Sequence, residues 1–276
     1  MTRICLWLTV AMKQSTHYCS PSPELRREGF APSAHMTAER SREGNRRFPP
    51  PLNIYLYFSD HLKRMPTNNE PIDTINANTA FTSTCSGIYI YRYEEWFKVL
   101  IHETFHNLLL DFCNMNCDTA NRRLNTFFKL PHLDIRLYEA YSETWALLMY
   151  SAITAFERTR DKSNLKTMIS KFKTELDANV RFSLYQRMKV LRHMEVAPRE
   201  KTSAFAYYVI KSSLVYHINT FLEWCISRNS HIMNFRKTPT TVAEFCLLVE
   251  RLSVEMPKLP KMREPAYMKE TLRMVV

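Results

Sequence analysis

The stretch Leu100-Ile101-His102-Glu103-Thr104-Phe105-His106 decides how the rest of the chain is read. Its His-Glu-x-x-His spacing has a mechanical meaning in a helix. Residues four apart lie on one face, so His102 and His106 can grip one metal ion together. Glu103 then sits beside that face, near a metal-bound water, where a general base is needed. The flanking residues predict such a helix. Apolar side chains fall at Phe97, Leu100, Ile101, Phe105, Leu108, Leu109 and Phe112, with no Pro or Gly between Glu94 and Leu130. Glu94 and Glu95 open it, where carboxylates suit the helix dipole. The expected span is roughly 94–112. The alternative for the motif alone is two helix-surface histidines beside a solvated glutamate.

Working upstream, Asn53-Ile54-Tyr55-Leu56-Tyr57-Phe58 is aromatic and β-branched and reads as a strand. Residues 65–80 read as a loop, 81–85 as a short strand, and Ile88-Tyr89-Ile90-Tyr91 as a strand that feeds the motif helix. Residues 1–51 differ in kind. Ser, Pro, Arg and Glu dominate from Ser20 on and end in Pro49-Pro50-Pro51, a linker or disordered tail. The run from Ile4 to Met12 is short and lacks a small-x-small cleavage site, so secretion is not expected. Downstream, 113–131 reads as a connection with about one helical turn. Amphipathic helices are expected over 133–150, 163–194, 202–227 and 240–254, and 257–276 is a Pro-broken tail. The ordered domain is therefore placed at 52–256.

Composition narrows the functional classes. The chain has 276 residues, 45% apolar, and only three glycines, Gly29, Gly44 and Gly87. So few glycines argue for an α+β body that is mainly α and exclude a phosphate-binding glycine loop after Gly87. The net charge of +11 is scattered and includes no long basic run. Nucleic-acid binding is possible on charge and unsupported by any motif. Seven cysteines, an odd number in a long chain, fit reduced intracellular thiols better than a disulfide framework. Cys113 and Cys117, four apart, suit helix-end packing better than a second metal site. No apolar run approaches a membrane span.

A catalytic zinc ion usually has three protein ligands and an open position for water. The 133–150 helix offers Glu139 and Glu143, again four apart on one face. One can ligate the metal while the other accepts the free ring N–H of a ligand histidine.

His102-Glu103-x-x-His106 followed by Glu139-x-x-x-Glu143 resembles the gluzincin branch of the zincin metallopeptidases. Tyr138-Glu139-Ala140-Tyr141-Ser142-Glu143 is similar to that family's N-E-G-F-A-E segment, with Tyr138 and Ala140 departing from it. The resemblance covers roughly 85–150. It implies a zincin-like fold: a small N-terminal sheet, an active-site helix and a helical C-terminal part. It also implies Zn2+ on His102, His106 and Glu139, Glu103 as base, Glu143 supporting His102, and a peptide or protein substrate. An edge strand above the metal holds the substrate in that class, and residues 88–91 are placed to be that strand or its neighbour. The 32 residues between His106 and Glu139 exceed the family's usual gap, which keeps Glu143 open as the third ligand. No metzincin-type continuation follows His106.

Residues 90–102 also resemble uncharacterised proteins of large DNA viruses, which implies host cytoplasm or virion as the location. An oxyanion donor is required as well. Tyr207, Tyr208 and His217 lie on the 202–227 helix, and Tyr208 is assigned the role; His132 and His193 are read as surface residues. Two other functions compete with a zinc peptidase: a zincin-fold binding or scaffold protein without turnover, and a basic helical nucleic-acid-binding protein with a fortuitous motif.

Overall fold

Three short strands carry the first part of the fold. In the computed structural model, which describes residues 52–67, 69–84, 86–257 and 266–276, β1 (Ile54–Ser59) runs parallel to β3 (Ile88–Arg92). Between them in sequence come a four-residue helix α1 (Thr74–Ala77), capped by Asp73, and strand β2 (Ala80–Thr82). β2 pairs antiparallel with β3, giving the order β1-β3-β2. β3 is thus the central strand, and the edge beside the motif helix is β2. The alternation expected of a half-buried strand is visible in β3: Ile88, Ile90 and Arg92 point inward. On the outer face Tyr55, Tyr89 and Phe81 stack ring on ring, 4.7 and 4.9 Å between centroids. A Cβ at Gly87 would meet the Tyr55 ring at 2.8 Å, so no larger residue fits without displacing it. The linker or tail expected over residues 1–51 lies outside the described residues.

The remainder is helical. The motif helix α2 (Trp96–Asn107) is shorter than expected at both ends. Glu94 and Glu95 precede it, and their carboxylates serve other partners instead of the helix dipole. Leu109 takes a left-handed conformation (φ 50°), and Leu110 N–H closes back on Phe105 O at 2.8 Å. That hydrogen-bonded turn ends the helix five residues before Phe112. Next comes α3 (Asp118–Phe128), eleven residues where a single turn was expected. Its apolar face is narrow, with Ala120 and Leu124 buried, which is why its composition reads as a loop. Then follow α4 (Leu137–Arg158) and α5 (Leu165–Val196), packed against each other.

The expected 202–227 helix is broken into three pieces. Phe205–Ile210 is π-helical, α6 is Lys211–Tyr216, and α7 is Ile218–Arg228, with the break at His217. Helix α8 (Pro239–Val254) starts on a Thr238 cap. Phe112, Tyr141, Phe221, Phe235 and Phe245 pack together in the core; Phe112 and Phe235 stand 4.1 Å apart. Among the described residues no helix is long and apolar enough to cross a membrane.

The C-terminal segment corrects the expected domain limits. Helix α9 (Ala266–Glu270) leads into residues 271–276, which pack on the domain where 257–276 was read as a tail. Leu272, Met274 and Val275 are buried. Leu272 N–H donates to Lys63 O at 2.9 Å, and the N–H groups of Met274 and Val275 both donate to Glu95 Oε1 at 2.7 Å. Burial at Leu272, Met274 and Val275 follows no helical period, which explains why helical periodicity did not reveal the strap.

Candidate metal centre

The two histidines project from α2 toward the first turns of α4. His102 Nε2 and His106 Nε2 are 3.0 Å apart, and each lies 3.1 Å from Glu139 Oε2. These atoms make a nearly equilateral triangle. A tetrahedral zinc ion with bonds of about 2.0–2.1 Å places its ligand atoms roughly 3.3 Å apart. The triangle is within a few tenths of an ångström of that spacing.

The opposite ring nitrogens explain why the triangle faces inward with lone pairs. His106 Nδ1 is hydrogen-bonded to Asp111 Oδ2. Asp111 is itself held by Ser142 Oγ at 2.8 Å and Cys113 N at 3.1 Å. His102 Nδ1 lies 3.0 Å from Glu143 Oε2, an ion-pair approach that falls short of an aligned hydrogen bond. Its negative charge nevertheless favours the proton on Nδ1. With both Nδ1 positions facing carboxylates, both Nε2 atoms present lone pairs to a carboxylate oxygen. Such a set repels itself until a proton or a metal ion enters. Two imidazoles and one carboxylate are a donor set that fits zinc.

The ionisation equilibria carry the same message. Burial alone would lower both histidines, but the carboxylates outweigh it: Glu139 and Glu143 raise His102, and Glu139 and Asp111 raise His106 well above its ordinary value. Against its own burial, Glu139 is held far below the usual carboxylate range by the two histidines. Burial likewise works against Glu143, but Lys98 foremost brings it down to about 2.

Glu103 is buried beside the triangle and has no hydrogen-bond or ion-pair partner among the described residues. Burial raises its pKa, against the pull of the histidines. It lines a small cavity with Val99, His102, Tyr207, Met274 and residues 77–80, which link α1 to β2. An uncommitted carboxylate at this position can accept a proton.

Sequence reading placed His102, Glu103, His106, Glu139 and Glu143, and the fold brings all five together. The choice between the glutamates is geometric: Glu139 converges on the triangle, and Glu143 stands behind His102. Tyr208 is not brought to the site. It is fully buried, and its hydroxyl donates to Leu272 O at 2.6 Å. Tyr207 is the tyrosine beside the triangle, its ring edge-on to His102 at 5.8 Å between centroids. The π-helical turn adds a residue to the local repeat and shifts which side chain meets the site. Burial and the nearby glutamates keep the Tyr207 hydroxyl protonated, so it is available as a donor. His217 packs on Tyr216 instead, and His193 reaches Glu70 O.

Asp111 was missed. In a helix continued to Phe112 it would stand five residues from His106 and off its face. The turn at Leu109 brings it back underneath. Cys113 and Cys117 do not form a site of their own: Cys113 approaches Asp111, and Cys117 is buried at the start of α3.

The chain matches no family model, no curated protein and no solved structure.

Proposed function

We propose that this chain is a zinc-dependent peptidase of zincin type. The observation that carries the reading is the convergence of three lone-pair atoms within 3.1 Å, next to an unpartnered, buried glutamate. His102, His106 and Glu139 would hold Zn2+. When bound, the ion acts as a Lewis acid and lowers the pKa of its water toward neutrality. Glu103 accepts a proton at its carboxylate and can return it to a leaving amine. Tyr207 offers a hydroxyl proton to a developing oxyanion, and the backbone of residues 77–80 borders the cavity where an extended peptide would run. The free cysteines Cys113, Cys117, Cys225 and Cys246 support an intracellular place of action.

The test combines metal analysis with cleavage of a peptide library. Purified protein is expected to carry one equivalent of zinc, lost in His102→Ala and kept in Glu103→Gln. Cleavage is expected in the wild type and absent in Glu103→Gln. Zinc without cleavage in the wild type would assign the site to a binding protein instead, and protein that takes up no zinc would sink the reading.

A further inference from the structure

Lys98 lies one turn before His102 on α2, so the two share a face. It is completely buried, and its ammonium makes a close ion pair with Glu143 Oε1, a charge contact outside hydrogen-bond alignment. On its other side Met274 Sδ lies 3.1 Å away, supplied by the C-terminal strap. The second oxygen of Glu143 is the one that faces His102 Nδ1. We propose that Lys98 is a positioning residue of the metal centre: by fixing one oxygen of Glu143 it aims the other at His102, and so sets that ring's orientation and tautomer. This inference rests on the metal-centre reading.

Three features lead to Lys98. A carboxylate held at one oxygen can still rotate, whereas one held at both cannot. The companion ligand His106 has the same arrangement in different chemistry, because Asp111 is tied at both oxygens, by Ser142 and by Cys113 N–H. Finally, a buried ion pair is a weak device for stability, since desolvation consumes most of its attraction. Placed directly behind a ligand, its return is in geometry. Partners of this kind typically change metal affinity by about 10–100-fold when removed.

The experiment measures zinc affinity of the full chain by competition with a chromophoric chelator. Lys98→Met is expected to bind zinc at least about tenfold more weakly than wild type, and Glu143→Gln is expected to show a loss of similar size. Because Lys98 acts through Glu143, the double variant should bind within about twofold of Glu143→Gln alone. Wild-type affinity in Lys98→Met overturns the proposal, and so do losses that multiply in the double variant. Should Lys98→Met fail to fold with Glu143 left unpaired, the double variant removes both buried charges together. Its comparison with Glu143→Gln then decides: equality supports the role, and a further tenfold loss overturns it. If the wild type itself takes up no zinc, the metal centre fails first and the role of Lys98 falls with it. Wild-type binding with an unaffected Lys98→Met refutes only the positioning.

Discussion

Lys211 is a fully buried ammonium whose hydrogen-bond partner is Ser183 Oγ at 2.9 Å. Burial lowers its pKa from 10.5 to about 8, although Glu143 pulls the other way. Below pH 8 the group is charged in both folded and unfolded chains, and the folded chain bears the whole desolvation cost, on the order of 3 kcal/mol. Between pH 8 and 10.5 the unfolded chain binds the extra proton, so this contribution to stability rises with pH. Lys211→Met is therefore expected to be more stable than wild type at pH 7, by about 1–3 kcal/mol, with the gain shrinking toward pH 10.5. Urea unfolding at pH 7 and pH 10 measures the difference, and a less stable variant at pH 7 contradicts the assignment. At this scale the sequence disclosed the residues whose spacing is set within a helix: His102, His106, Glu139 and Glu143. It hid Asp111 and led to Tyr208 where Tyr207 stands at the site, because these places depend on a left-handed leucine and a π-helical turn. Neither has a signature in the identity of the residue itself.

Among the described residues, helix ends are made without glycine. Leu109, Lys129 and Arg136 all have φ between 48° and 55°, each at the boundary of a helix. A side-chain-bearing residue in that conformation costs roughly 1–2 kcal/mol. Lys129 is the most informative, because it is exposed and closes α3. Lys129→Gly is expected to raise stability by about 1 kcal/mol, read as a melting temperature higher by about 2–4 °C. No gain in calorimetry would mean that the lysine makes compensating contacts. The same boundaries mark where periodicity misled. Apolar rhythm ran the motif helix on to Phe112 because Leu108 and Phe112 are apolar for core packing, not for helix continuation. Helix α3 escaped notice because only two of its buried side chains, Ala120 and Leu124, are apolar, and Arg123 pairs with Glu250. Strand β3 was legible, since alternation over five residues is a local signal.

Across the whole molecule, the proposed metal centre joins elements that stand apart in the chain: α2, α4, the π-helical segment and the strap. Without a cation its three lone-pair atoms oppose one another, so occupancy and stability are linked. Zinc at 100 times its dissociation constant is expected to add about 2.7 kcal/mol. Chelation should then lower the melting temperature by about 5–10 °C, an effect that weakens as pH falls and protons compete for the histidines. Scanning calorimetry with and without chelator checks this; coincident curves at neutral pH contradict it. The mainly helical class with a small sheet was readable from composition and periodicity. The strap was not, because its partners Lys63, Glu95 and Lys98 are distant in sequence and charged residues give no hint of burial.

The strap also sets an order of events. Met274 Sδ meets Lys98 across 176 positions, and Met274 and Val275 reach Glu95 across 179 and 180. At roughly 5–20 residues per second, the ribosome needs roughly 10–35 s to make the chain between these partners. During that interval the motif helix exists while Glu95 and Lys98 still lack the strap. The support behind His102 is thus finished only after the strap itself has been made. For a chain proposed to cut peptides, that delay separates the making of its histidines from the completion of their surroundings.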